Sequence, residues 1–340
     1  MLVTGFRRES SASRLEALAS KRVLLKEGPL GTGLLGLGLS ESDFRGERFA
    51  AWSRPLSGNC DVLVLTQPAL VERIHAEYLE AGADLIETNT FNAQALSQRK
   101  FGLEREVYAL NFATARLARK VADRFSERNP ERPRFVLGNL GPSDVCLSRA
   151  AVGAEPKPDF EQVRAAYAEQ AHALIEGGVD ALLLETVFDE QTAKACLAGI
   201  ATTEIELGAA LPILLSVTVG ADGRMPSGRA VSEFLREIEG TRLFSVGINC
   251  AFGAESVRAP LEALAAHAPS LVSVYPNAGL PDATGRYSEP LEQGVALVAS
   301  FAAASLANII GGCCGTTPAT LRALGAAVRG LAPRPFARRA

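Results

Sequence analysis

Cysteine, histidine and aromatic residues are scarce in this chain, with 6 Cys, 3 His, 1 Trp and 6% aromatics over 340 residues. So few cysteines in so long a chain do not make a disulfide framework, and a reducing, cytoplasmic compartment is expected. Charge of one sign is missing too: 35 basic against 38 acidic side chains leave a net charge of −3. With no basic stripe and no Arg–aromatic cluster, nucleic acid is not an expected partner. No apolar stretch approaches the about 18–20 residues of a membrane span, so a membrane is not expected either. Residues 1–14, MLVTGFRRESSASR, lack the continuous apolar core of a secretory signal. Their Arg and Ser content suits a transit peptide, but Glu9 and Glu16 favour a plain polar tail. What the chain does have is a 47% hydrophobic fraction. That suffices for one large α/β domain or two medium ones, with the composition of an enzyme acting on small molecules.

Short β-branched or Leu-rich runs end in Gly, Glu, Asn or Cys and alternate with stretches of helical spacing. Eight are found: VLLKEG (23–28), DLIETNTF (84–91), RFVLGNLGP (134–142), DALLLETVFD (180–189), PILLSVTV (212–219), FSVGINCA (244–251), LVSVYPNAG (271–279) and NIIGGCCGTTP (308–318). Most begin as continuous apolar runs, the mark of parallel strands buried on both faces. Between them, residues 159–176 predict a helix with Asp159 as N-cap and Phe160, Val163, Tyr167, Ala171, Leu174 and Ile175 inward. A second helix opens at Thr66 with Pro68 in its first turn and turns Leu70, Val71, Ile74 and Tyr78 inward. A weak internal repeat sets Ala81-Gly82-Ala83-Asp84 before Glu87-Thr88 and Gly177-Gly178-Val179-Asp180 before Glu185-Thr186. The expected fold is therefore α/β: a single (β/α)8 (TIM) barrel with an N-terminal helical extension. A doubly wound sheet is the alternative. GTGLLG, read from Gly31, Gly33 and Gly36, fits a dinucleotide-binding loop, but no acidic-ended second strand follows about 20 residues on.

In such a barrel the residues just past the strand ends share one mouth. Here they are Glu27, Glu87, Asn139, Glu185, Cys250, Asn277, Cys313 and Cys314. Adjacent side chains in an extended strand point to opposite faces, so Cys313 and Cys314 converge only where the backbone turns, and Gly311, Gly312 and Gly315 permit the turn. With Cys250, three thiols could meet. Three thiolates suit Zn²⁺ and leave a fourth position open, as catalytic sites do. A vicinal disulfide, or buried thiols without a role, would also explain the pair. Cys60, Cys146 and Cys196 carry no comparable pattern. His75, His172 and His267 fall in or near predicted helices, as partly exposed residues away from the strand ends. Glu87 and Glu185 could be an acid/base pair, although a glycosidase would leave the cysteines unexplained.

Seven segments together resemble the homocysteine S-methyltransferase family, most closely the homocysteine-binding module of cobalamin-dependent methionine synthases. They are FRGERFA (44–50), LTQPALV (65–71), EAGADLIETNTFN (80–92), LLETVFD (183–189), GINCAFGA (247–254), YPNAGLP (275–281) and NIIGGCCGTTP (308–318), spread over nearly the whole chain. The resemblance implies a (β/α)8 barrel over residues 15–335, with polar tails at 1–14 and 336–340. It implies zinc held by Cys250, Cys313 and Cys314, with Asn277 as fourth ligand when substrate is absent. Glu185 would hold the substrate ammonium, with Glu27 and Gly28 in the substrate-binding first loop. A free thiol is mostly protonated at neutral pH, and zinc would make it a thiolate able to attack a methyl group in line. The implied donor is methylcobalamin on a separate corrinoid-binding partner. S-methylmethionine or betaine as donor, or a non-catalytic zinc- and thiol-binding barrel, remain open. Two departures stand out. Glu27-Gly28-Pro29-Leu30-Gly31-Thr32 replaces the family's Asp-Gly-Gly/Ala-Met-Gly-Thr, and Pro29 removes a backbone N–H where substrate carboxylate would bind. The cobalamin-dependent relatives also continue into folate and cobalamin modules, which suggests a split-enzyme subunit, a piece of a longer chain, or use of a small donor.

Overall fold

Each of the eight sequence runs contains a strand, and each strand is followed by at least one helix. In the computed structural model the strands are β1 Leu24–Leu25, β2 Leu85–Glu87, β3 Phe135–Leu140, β4 Ala181–Val187, β5 Ile213–Val217, β6 Leu243–Cys250, β7 Leu271–Pro276 and β8 Ile309–Ile310. The structure describes residues 3–143, 145–148, 157–251, 253–282, 287 and 289–337, with the backbone alone for 3–10. Residues 1–2 and 338–340 of the expected tails, and residue 252 within GINCAFGA, lie outside the described residues. All pairings between neighbouring strands are parallel. The order β1-β8-β7-β6-β5-β4-β3-β2 is closed by a parallel bridge between Lys26 and Leu85, so the expected TIM barrel is present.

Side-chain alternation builds two cores from one set of strands. Phe135, Leu137, Ala181, Leu183 and Leu214 fill the barrel interior, whereas Val136, Leu182, Leu184 and Leu215 face the helix layer. A period of two sends neighbours to opposite faces, and the register Leu137↔Ala181 and Leu183↔Leu214 stacks the interior set. The helical extension is Val3–Ala19, which begins inside the stretch expected as a tail. Its Leu15 and Ala19 are buried against the interior set, closing the end of the barrel away from the mouth.

The helix predicted over 159–176 is Phe160–Gly177, capped by Asp159 and Gln162 reciprocally and ended by Gly178 at φ 97°. Phe160 differs from expectation: it lies 37% exposed as the first residue of the helix. The second helix runs Pro68–Ala81, with Thr66 in the preceding short helix and Leu70 only half-buried. The repeat also acquires a physical meaning. Asp84 accepts the Leu25 N–H at 3.0 Å and Asp180 the Val136 N–H at 2.8 Å, so each aspartate ties its strand to the preceding one. Asp84 is surrounded by Arg22, Arg132 and Arg134, and Asp180 by Arg119.

Candidate metal centre and substrate cavity

The backbone at the mouth is bent where the chemistry lies. Thr186, Cys250 and Ala251 hold φ of 58°, 55° and 61°, a region that non-glycine residues rarely occupy. Asn249, wholly buried, braces two of these bends. Its Oδ1 accepts the Thr186 N–H at 3.1 Å and the Ser216 hydroxyl at 2.8 Å, while its Nδ2 donates to Thr186 Oγ1 at 2.7 Å. The same amide lies 3.6 Å from Cys250 Sγ. The turn after β8 depends on missing side chains. A Cβ on Gly311 would sit 2.6 Å from the Lys26 carbonyl oxygen, and one on Gly312 only 2.1 Å from Thr316 Cγ2. Backbone bonds then stitch three segments together: Asn277 N–H to Cys250 O at 2.9 Å, Ala278 N–H to Cys314 O at 2.9 Å and Cys313 N–H to Pro276 O at 2.8 Å.

This scaffold brings the three sulfurs together. Cys250 Sγ is 2.8 Å from Cys313 Sγ, Cys313 Sγ is 4.0 Å from Cys314 Sγ, and all three lie within 4.8 Å of one another. Neither separation is a disulfide, whose sulfurs are about 2.05 Å apart, and the cysteines are free. A tetrahedral ion with bonds of about 2.3 Å would place its sulfurs about 3.8 Å apart; Cys313 and Cys314 stand near that spacing, Cys250 and Cys313 would have to part by about 1 Å, and three thiolates are a donor set that suits zinc. Hydrogen bonds from Cys250 and Cys313 pull Cys314 down to about 3. Cys313, donating to Cys250 and Cys314 and buried, is pushed well up. Tyr287 also donates to Cys314 and packs over Gly315, where a Cβ would meet its ring at 2.3 Å.

The sulfurs form one wall of a cavity of about 940 Å³, roomier than one small amino acid requires. Lys26, Glu87, Asn139 and Glu185 lie deep in it, and Leu30, Gly31, Thr32, Leu35, Cys60 and Asp61 line another side. Lys26 Nζ is 2.7 Å from Glu87 Oε2 and 3.7 Å from Glu185 Oε1, and 4.4 Å from the Tyr275 ring centre. Burial works against the Lys26 charge, but Glu87 and Glu185 more than restore it, and its pKa lies above the usual lysine value. Burial, then the nearby Glu185, pushes Glu87 up to about 8 despite Lys26. Glu185 Oε2 accepts from Asn139 Nδ2 at 3.0 Å, whereas its buried Oε1 has no hydrogen-bond donor among the described residues. Burial also lifts Asp61 to about 7.

Two of the residues expected at the site are placed elsewhere. Glu27 and Gly28 do not line the cavity. Glu27 is wholly buried with both oxygens engaged, one accepting the Glu87 N–H at 2.5 Å and the other 3.2 Å from His75 Nδ1. Gly28 is packed so closely that a Cβ would fall 2.5 Å from the Tyr78 hydroxyl. His75 is accordingly not a partly exposed helix residue but a wholly buried partner of Glu27. Asn277 follows β7 beside a smaller cavity of about 170 Å³ that shares Tyr287 and Gly315 with the main one. Its Nδ2 donates to the Ala251 carbonyl at 3.0 Å, and its buried Oδ1 has no hydrogen-bond partner among the described residues. Sequence reasoning missed Lys26, Asp61, Asn249 and Tyr287. Only Lys26 left a clear signal, as a lysine interrupting the apolar run of the first strand.

The family model for homocysteine S-methyltransferase matches residues 24–328. Among solved structures, the chain is similar to the homocysteine methyltransferase MmuM from Escherichia coli. Its metallated form shares 23% identity at a TM-score of 0.69, over 92% of this chain and 98% of that one. Its oxidized form shares 23% at 0.67, over 89% and 95%, and its apo form 23% at 0.65, over 91% and 97%. At that identity the likeness speaks for the fold.

Proposed function

The chain belongs to the homocysteine S-methyltransferase family, and on that premise we propose that it methylates the thiol of homocysteine to make methionine, using zinc held by Cys250, Cys313 and Cys314. The convergence of three sulfurs within 4.8 Å at the barrel mouth carries this reading. Held by three thiolates, zinc would lower the pKa of an incoming thiol far enough for it to react as thiolate. In the transfer, sulfur's electron pair forms the new S–CH₃ bond as the donor's bond to methyl breaks, and the thiol proton is released to solvent.

The chain's own residues position the substrate. Glu185 Oε1, buried and without a donor, is the acceptor for the substrate ammonium, and Asn139 fixes the carboxylate through Oε2. Leu30, Gly31 and Thr32 line the cavity where the first loop would meet the substrate carboxylate, beside a proline that offers no N–H. Asn277, with its unpartnered Oδ1 and its N–H on Cys250 O, is the residue that would complete the metal site without substrate. The methyl donor in this reading is methylcobalamin on a corrinoid-binding partner. An open mouth supports it: Leu35 lines the cavity and is 58% exposed, leaving an apolar rim that a bulky carrier could approach.

Zinc content, followed by methionine formation from homocysteine with methylcobalamin, S-methylmethionine and betaine as separate donors, tests the proposal. Turnover with methylcobalamin supports the partner-dependent reading. Turnover with a small donor alone replaces that donor, and a protein that takes up no zinc overturns the whole.

A further inference from the structure

The proposed chemistry uses the sulfurs and Glu185 but gives no task to Lys26. Yet among the described residues Lys26 carries the one ammonium lining the cavity, its side chain only 3% exposed. It lies against both carboxylates at once, 2.7 Å from Glu87 Oε2 and 3.7 Å from Glu185 Oε1. The geometry leaves Glu185 little choice of partner. Its Oε2 is held by Asn139 at 3.0 Å, so the oxygen open to an arriving ammonium is the one that already faces Lys26. Glu27 cannot serve instead, because its oxygens are engaged by the Glu87 amide and His75. The face of Tyr275, where a cation could rest, is covered by Lys26 at 4.4 Å.

We infer that Lys26 is a specificity-determining residue whose ammonium lies beside the place a substrate ammonium would take, so that the site accepts ω-thiol carboxylic acids largely irrespective of an α-amino group. This rests on the thiol-methylating reading above and deepens it: homocysteine is one member of the accepted class. An arriving ammonium gains attraction to Glu185 and meets repulsion from Lys26 at similar range, and the two largely cancel. Thiol and carboxylate are then left to carry recognition.

The test compares homocysteine with 4-mercaptobutanoate, the same chain without the amine, on the zinc-loaded protein. Affinity is read by calorimetry and, separately, kcat/KM for methylation by methylcobalamin. Wild type should prefer homocysteine by less than about tenfold, and Lys26→Met should raise that preference by at least about tenfold. Removing Lys26 alone leaves buried carboxylates without a cation. The paired variant Lys26→Met/Glu87→Gln also removes the carboxyl group that Lys26 contacts at 2.7 Å, leaves Glu185 free, and should show the same rise. A wild-type preference of tenfold or more, or an unchanged preference in the folded paired variant, overturns the inference. Thiol binding without methyl transfer from any donor would instead sink the enzymatic reading, while the calorimetric ratio still decides the role of Lys26.

Discussion

Replacing Asn249 with alanine should uncouple the metal site from its scaffold. Three polar groups lose their partner: the Thr186 N–H at 3.1 Å, the Ser216 hydroxyl at 2.8 Å and Thr186 Oγ1 at 2.7 Å. Thr186 and Ser216 are both buried, so water cannot freely replace the bonds. An orphaned buried donor costs about 1–3 kcal/mol. Counting the two donors and letting the hydroxyl of Thr186 rotate, a loss of about 3 kcal/mol in unfolding free energy is expected. The bends at Thr186 and Cys250, at φ 58° and 55°, also lose what holds them, since strained backbone persists only where its surroundings over-determine it. Cys250 should then wander from the other sulfurs, and zinc affinity should fall by about 10–100-fold, the range for lost supporting contacts around a metal. Urea unfolding of the metal-free protein reads the first effect and chelator competition the second. Unchanged zinc affinity in a folded Asn249→Ala protein would refute the argument that the bend is what aims the sulfur.

Three further outcomes follow from the site. Cys313→Ala should lose zinc under dialysis that leaves wild type loaded and should show no methyl transfer; full zinc and full activity would contradict the assigned ligand set. Gly312→Ala places a Cβ 2.1 Å from Thr316 Cγ2 and forces apart a turn in which Thr316 Oγ1 donates to Cys313 O at 2.8 Å. Zinc affinity should drop by at least about tenfold while the far end of the barrel keeps its hydrogen-exchange protection. Burial raises Asp61 to about 7, above the about 3.9 of an unfolded aspartate. The folded state therefore holds the proton more tightly, and this contribution to stability declines as pH rises from about 4 through 7. Asp61→Asn should flatten that part of the stability–pH curve, which urea titrations at several pH values would show.

Much of the molecule was legible in advance because its signals are local. Eight apolar runs separated by helical stretches name a barrel, since a strand buried on both faces must be apolar throughout. The bare pair Cys313-Cys314 between glycines announced a turn that gathers sulfur, because an extended backbone would have parted the two side chains. Asp159 as a helix cap needed only the chemistry of a helix terminus. The family resemblance carried by YPNAGLP and NIIGGCCGTTP belongs to the same layer.

What only the tertiary structure decided is which polar groups at the mouth are already spoken for. Glu27 reads like a site carboxylate, yet closure of β1 against β2 delivers the Glu87 amide and His75 to its two oxygens and removes it from the cavity. Lys26 reads like a flaw in a strand. The same closure sets it between Glu87 and Glu185, residues far apart in the chain, where it fixes the charge that a substrate meets. Asn249 looks like one more polar residue at a strand end until the bends at Thr186 and Cys250 are seen to share its amide. Sequence determines propensity and pattern, which are properties of neighbours along the chain. Hydrogen-bond saturation and local charge balance are properties of neighbours in space, and those exist only once the barrel has closed.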